Sequence, residues 1–556
     1  MLNNRHAAIY YEPDGYVASG RRLMGRHSAG LAFLRAAVSA RQGQELWCYT
    51  ASQASAEIFA KQVKSINPSV VPRWCRSNRL DLLQSIGTLY FPGPQLTPLA
   101  NLRLRRGADG FSLCGITHTT ASHAAMDALT STIHGPLMPW DAIICTSTAV
   151  AETIRFQRDA EQEYLYWRFG QSIKVPEPPQ FPVIPLGVHA SDYAISPGVR
   201  RESRARLKIS DEHIVVLFVG RLSFHAKAHP DAMYLALEAT ARSSGKQIIL
   251  IQCGWFENEA LEQAFRVGAA SAPSVRTLFL DGRDEASRMR AWASADIFLS
   301  LADNIQETFG LTPLEAMAAA LPVIVTDWDG YKDTVQHGVE GFRVPTFQPA
   351  AGIGKFLAAD YESGMISYDR YCGYSCQLVS VDHQRLVEHL SSLAKDPDLR
   401  RSMGQNGRKR ALELYDWSVI YRAYGELWEE LGSIRTAAAS RAALAGAPAH
   451  APARGDPLQS FKMYPSHHLE TDTVISISHR SDGLDYEELL KHPLYSYAQA
   501  VLPDAKVAEQ ILIEVAKGPL SLEQLIVALG LSHLKAAVAA AALAKMGLVR
   551  LEPTPQ

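Results

Sequence analysis

Short apolar runs recur along the chain at intervals long enough to hold helices. Ala7–Tyr11, Glu45–Thr50, Thr88–Phe91, Gly115–His118 and Ala142–Cys145 read as strands, with a helix over 29–38 and Thr146-Ser147-Thr148 as a helix cap. Pro182-Val183-Ile184-Pro185-Leu186-Gly187-Val188 then breaks the pattern with prolines and a glycine, as a crossover between domains does. A second series follows in His213–Val219, Gln247–Cys253, Val275–Leu280, Asp296–Ser300 and Pro322–Thr326. Near-continuous apolar strands alternating with helices imply parallel sheets covered on both faces. Two such doubly wound units in succession would face a cleft and hold ligands at the C-terminal edges of their strands. From Asp416 to Leu431, the apolar positions Trp417, Ile420, Tyr421, Tyr424, Leu427, Trp428 and Leu431 keep helical spacing.

Between Thr436 and Asp456 the composition falls to Ala, Pro, Gly, Ser and Arg, the signature of a linker. In the region beyond it, Ser521 caps a helix over 522–529, Ser532 caps an Ala-rich helix over 533–546, and 547–551 closes as a strand. Helix, turn, helix, strand is the outline of a winged helix. The expected organisation is an N-terminal domain over 1–200 completed by the helix 416–431, a second domain over 201–415, a linker over 432–460 and an accessory domain over 461–556.

At 556 residues the chain is long enough for about three domains. Lys plus Arg (55) nearly balances Asp plus Glu (57), which excludes a generally basic nucleic-acid coat and an acidic disordered tail. No apolar run reaches the roughly 18 residues of a membrane span, and no apolar leader follows Met1. Seven scattered cysteines fit a reducing compartment, so a cytoplasmic location is expected.

Candidate chemistry gathers in Glu307-Thr308-Phe309-Gly310-Leu311-Thr312-Pro313-Leu314-Glu315. Two carboxylates stand eight apart, and a helix is predicted to begin near Thr312 as N-cap. Its backbone N–H groups would face an anion. The first carboxylate can then accept hydrogen bonds from ligand hydroxyls, and the second can hold another polyol. Val216–Val219 runs into Gly220-Arg221, with Lys227 six residues on; Arg and Lys together can neutralise negative charge on a ligand. His118 lies just past a strand, with His123 as a nearby competitor. Gly25, Arg26 and Gly30 form a glycine-containing loop in a basic stretch with Arg21 and Arg22, suited to a phosphate or an acceptor.

These strings resemble the retaining glycosyltransferases of family 4. The Glu-x7-Glu signature is matched by Glu307 and Glu315 within "ETFGLTPLEAMAAALPVIVTD". The resemblance covers roughly residues 1 to 431 and includes "LRRSMGQNGRKRALELYDWSVIYRAYGELW". It implies a GT-B fold, an α/β architecture of two Rossmann-like domains facing a cleft, here followed by a small, mostly helical C-terminal domain. It also implies that Glu307 contacts the donor sugar and Glu315 the nucleotide ribose. Gly220, Phe309, Gly310, Leu311 and Thr312 would lie near the sugar and diphosphate, Arg221 and Lys227 on the diphosphate, and His118 near the reacting carbon. The implied donor is a nucleotide-diphosphate sugar and the acceptor a carbohydrate or lipid-linked molecule, the latter met from the inner face of the membrane. The implied setting is polysaccharide or glycolipid biosynthesis. No cofactor and no metal are expected, since no Asp-x-Asp site can be placed.

With no carboxylate poised as a nucleophile, departure and attack on the same sugar face is the expected mechanism. Two other readings compete: a nucleotide-sugar epimerase on the same fold, and a nucleotide-sugar-binding regulator acting through the C-terminal domain. In the second, "SHLKAAVAAAALAKMG" offers only His533, Lys535 and Lys545 as polar or basic contacts, which disfavours nucleic acid as a partner. It favours a dimerisation or protein-partner module. Cys372 and Cys376 lack a second pair at zinc-site distance. His467-His468 reads as exposed chain, and Asp327-Trp328-Asp329 as a loop after the last core strand. The arginines of 198–208 read as a solvated face, with anionic lipid as the alternative.

Overall fold

In this computed structural model, residues 6–16, 25–41, 43–438 and 446–553 are described, with 25–28 described only in their backbone. The chain divides into two compact units, Met1–Pro452 and Ala453–Gln556.

The first unit contains two six-stranded parallel sheets. One is built from β1 (Ala8–Tyr10), β2 (Glu45–Thr50), β3 (Val71–Arg76), β4 (Thr88–Tyr90), β5 (Ser112–Ile116) and β6 (Ala142–Ile144), in the order β3-β2-β1-β4-β5-β6. The other is built from β7 (Ile214–Val219), β8 (Ile248–Gly254), β9 (Val275–Asp281), β10 (Ile297–Ser300), β11 (Val323–Thr326) and β12 (Gly341–Val344). Its order is β12-β11-β10-β7-β8-β9, the same winding read from the opposite edge. This is the GT-B architecture of two Rossmann-like domains. Every residue of β7, β8, β10 and β11 is buried, as expected of strands covered by helices on both faces.

Each sheet has one strand more than the apolar runs predicted. β3 carries Pro72, Arg73 and Arg76, and β12 carries Arg343. Both lie at sheet edges, where one side needs no partner strand and polar residues and proline are tolerated. Asp327-Trp328-Asp329 therefore precedes a further core strand and does not follow the last one.

The helix over 416–431 extends from Trp417 to Ala438, so its last turns occupy residues that composition assigned to the linker. It returns the chain to the N-terminal sheet. Val188 N–H donates to the Tyr415 carbonyl at 2.8 Å, and Trp417 N–H donates to the Val188 carbonyl at 3.1 Å. Trp417, Tyr424 and Trp428 are buried there with Phe33 and Tyr90. The basic stretch at 198–208 is largely consumed inside the fold. Arg200 and Arg204 both grip Asp296 at the base of β10, Arg204 at 3.1 Å while itself buried. Arg206 pairs with Glu202.

After β12, a small antiparallel ribbon of β13 (Thr346–Phe347) and β14 (Ser380–Val381) encloses two helices, Lys355–Glu362 and Tyr368–Cys376.

The second unit packs helices Ala505–Ala516, Leu522–Leu529 and His533–Lys545 against a three-stranded antiparallel sheet. Its strands are β15 (Val474–Ile477), β16 (Leu520–Ser521) and β17 (Val549–Glu552), in the order β16-β15-β17. Ser521 and Gln524 close a capping box, and Ser532 caps the last helix. Among the described residues no single helix is long and apolar enough to cross a membrane.

Candidate active site

In a doubly wound sheet the crevice opens where the strand order reverses, between β1 and β4 in the first sheet and between β7 and β10 in the second. The loops leaving β7 and β10 meet at that point. Gly220 and Arg221 follow β7, and the Ser-Phe-His-Ala spacer folds back so that Arg221 donates to the Ala226 carbonyl at 3.2 Å. Arg221 also donates to Glu257 at 2.9 Å and to the side-chain carbonyl of Gln306 at 3.1 Å. Lys227, at the end of the same turn, forms an ion pair with Glu307.

Burial alone would raise the Glu307 carboxyl. The Lys227 ammonium and the backbone N–H groups of Phe309 and Thr308 outweigh it and hold the carboxyl below its ordinary range. Phe309 is buried behind it. Gly310 has φ +83°, and a Cβ there would lie 2.0 Å from the Tyr331 ring, so the turn needs glycine on both counts. The helix then begins at Leu311 and not at Thr312. Gly310 occupies the cap position and Thr312 the second helical residue, so the predicted Thr312 N-cap is displaced. The cause is the turn itself, which only Gly310 can make.

Glu315, one turn further, hydrogen-bonds with Tyr193 from the segment joining the two sheets. Burial raises its carboxyl above the ordinary range, although Tyr193, Arg288 and Lys227 act in the opposite direction.

The N-terminal half meets this loop directly. His118 follows β5, and its carbonyl accepts from Thr308 Oγ1 at 3.3 Å. Thr146 Oγ1 donates to the Thr308 carbonyl at 3.2 Å. Three consecutive residues, Gln306, Glu307 and Thr308, thus touch Arg221, Lys227 and His118 in turn. Asp329, with φ +41°, accepts from Ser147 Oγ at 3.1 Å, and its carboxyl is pushed up to about 7 by burial and by the charge of Glu307. Asp333 accepts from both Thr148 N–H and Thr148 Oγ1 at 2.7 Å. His123 is engaged elsewhere, its ring stacked on Tyr361 at 3.7 Å.

At the C-terminal edge of the first sheet lies a cavity of about 200 Å³, with Glu12, Asp14, Gly30, Tyr90, His118 and Trp417 among its lining. Gly30 faces the 13–16 turn so closely that a Cβ would lie 2.1 Å from the Gly15 carbonyl oxygen. Gly25 and the backbone of Arg26 begin the helix Gly25–Ser39. The Arg26 side chain, Arg21 and Arg22 lie outside the described residues. Among the described residues no group of three His, Cys, Asp or Glu side chains converges to hold a metal ion. All seven cysteines are unpaired and buried, Cys372 and Cys376 included.

Tyr193, Arg288 and Gln306 carry no signal of their own in the sequence, and Asp329 reads there only as loop. Gln306 is flagged only by its place beside Glu307, and Tyr193 and Arg288 by nothing local.

Residues 199–359 match a family model described as glycosyl transferases group 1. A D-inositol 3-phosphate glycosyltransferase of Nocardia farcinica is 28% identical over 165 residues, 29% of this chain and 36% of that one. A phosphatidyl-myo-inositol mannosyltransferase of Mycolicibacterium smegmatis is 29% identical over 218 residues, covering 37% and 52%. An alpha-maltose-1-phosphate synthase of Mycobacterium tuberculosis is 24% identical over 230 residues, covering 41% and 51%. The match thus spans about a third to a half of the length of these relatives. Among solved structures, HepE of Anabaena in complex with UDP and glucose is 14% identical with a TM-score of 0.49, over 76% of this chain and 98% of that one. The family match is confined to residues 199–359, which are similar to a glycosyl transferases group 1 domain.

Proposed function

We propose that the chain transfers a sugar from a nucleoside-diphosphate sugar to a hydroxyl-bearing acceptor, with retention of anomeric configuration, in glycolipid or polysaccharide synthesis. The observation that carries this reading is the contact of Gln306, Glu307 and Thr308 with Arg221, Lys227 and His118 at the mouth of the second sheet. Glu307, held ionised, can accept from sugar hydroxyls, and Glu315 from a ribose. Arg221 and Lys227 stabilise the departing diphosphate, so the transfer is expected to need no metal. The 200 Å³ cavity beside His118 is the acceptor site in this reading. Its carboxylates Glu12 and Asp14 can accept from hydroxyls, and its aromatic rings can stack on the apolar face of a sugar. Two of the relatives above are named for inositol-containing substrates, which supports a polyol acceptor.

In this reading neither Glu307, paired with Lys227, nor Glu315, bonded to Tyr193, serves as a nucleophile. The departing diphosphate therefore takes the acceptor's proton as the new bond forms on the same face. For residues 453–556 a protein-interaction role fits best. The helix His533–Lys545 leaves Leu534 and Val538 exposed, with Lys535 and Lys545 as its two cations.

The test is incubation with labelled nucleotide sugars and a panel of polyol and inositol acceptors, with and without EDTA. An acceptor-dependent product of unchanged anomeric configuration, formed equally in EDTA, is expected. Release of free sugar alone, or isomerised donor without acceptor, overturns the reading.

A further inference from the structure

The two helices between β13 and β14 cross from one half of the cleft to the other. The second, Tyr368–Cys376, is fixed to the loop that carries Arg221 and Lys227. A Cβ on Gly373 would lie 2.9 Å from the His225 side chain, and Cys376 Sγ lies 3.6 Å from the Phe224 carbonyl oxygen. From its first turn Tyr368 reaches out. Its hydroxyl accepts from the Gln306 amide nitrogen at 3.1 Å and lies 3.3 Å from Thr119 Oγ1, on the residue after His118. The preceding helix, Lys355–Glu362, makes a parallel contact, as Tyr361 takes the His123 N–H at 3.3 Å and stacks on its ring.

The polarity of this chain is determined by its members. Arg221 can only donate, so Gln306 presents its carbonyl to the guanidinium and its NH₂ to Tyr368. The Tyr368 hydroxyl can in turn donate its single proton to Thr119, with the Cys372 thiol as its other neighbour. Each bond polarises the next, and removing Tyr368's oxygen frees the Gln306 amide to rotate away from Arg221.

We propose that Tyr368 is a positioning residue: through Gln306 it orients Arg221 toward the donor diphosphate, and it does so fully only when Thr119 of the acceptor half is docked against it. Donor grip is thereby coupled to closure of the cleft. The proposal rests on the donor-site reading above.

The full-length chain is titrated with UDP, GDP and ADP by calorimetry, and with uridine, guanosine and adenosine by ligand-observed NMR. Tyr368→Phe keeps the ring and removes the oxygen. It is expected to weaken the bound diphosphate about 3- to 10-fold, as one hydrogen bond does, and to leave the matching nucleoside unchanged. Thr119→Val, which probes the same chain from the other half, is expected to act alike. The double variant should lose no more than the weaker-binding single variant. Equal loss for diphosphate and nucleoside, or no loss for either variant, overturns the relay while leaving the donor site standing. A wild-type chain that binds none of the three diphosphates overturns the donor site itself, and the relay with it.

Discussion

Lys227 and Glu307, 80 residues apart in the chain, form an ion pair between the loop after β7 and the loop after β10. The pair is mostly withdrawn from solvent, so each charge depends on the other. Lys227→Ala would leave the Glu307 carboxylate buried without its counter-charge, with its carboxyl raised. A stability loss of about 1–3 kcal/mol is expected in denaturant unfolding. In transfer assays kcat should fall far more than the acceptor KM rises, because Lys227 acts on the leaving group. An unchanged kcat would contradict the assignment.

Gly310 is the second sensitive point. Replacement by Ala adds a methyl 2.0 Å from the Tyr331 ring at φ +83°. The loop must shift, and Glu307 with it. Gly310→Ala is expected to cost about 1–3 kcal/mol and to abolish measurable nucleotide binding, whereas Thr312→Ala, one residue past the helix start, should be nearly neutral in stability. Calorimetry on the two variants separates them.

The helix Trp417–Ala438 contains core residues of the N-terminal half, and unit 453–556 has a core of its own. A chain ending at residue 445 is therefore expected to keep the cooperative unfolding transition of the first unit. A chain ending at residue 416 loses Trp417, Tyr424 and Trp428 and should fail to fold. Circular dichroism melts of both truncations check this.

How far the sequence carried the reading depends on what each element faces. β7, β8, β10 and β11 are buried on both sides, so apolar composition alone marks them. β3 and β12 are edges and carry arginines, which hides them. Glu307, Glu315, Arg221 and Lys227 stood out because their neighbours form recognisable strings. Their partners did not, since Tyr193, Gln306 and Asp329 gain significance only when segments far apart in the chain are brought together. The arginines near residue 200 show the converse: a run that looks like surface charge is spent on Asp296, a contact 96 residues away for Arg200.

Asp329 should make the stability of the first unit depend on pH. Burial and the charge of Glu307 push its carboxyl up to about 7, whereas in the unfolded chain it titrates near its ordinary value of 3.8. The folded state therefore holds a proton that the unfolded state releases. This stability is complete below about pH 4 and is lost as pH rises through 7. Asp329→Asn keeps an acceptor for Ser147 and tolerates a positive φ. It is expected to raise Tm by about 2–4 °C at pH 8 and by less at pH 5. An equal shift at both pH values would contradict the buried-proton account.

The central claim is that the loops after β7 and β10 hold a nucleoside diphosphate. Its most direct test is calorimetric titration of the full chain with UDP, GDP and ADP, with Lys227→Ala and Glu315→Ala alongside. The account predicts saturable binding of at least one of the three, weakened tenfold or more in each variant. Binding that both variants leave intact would place the nucleotide elsewhere and contradict it.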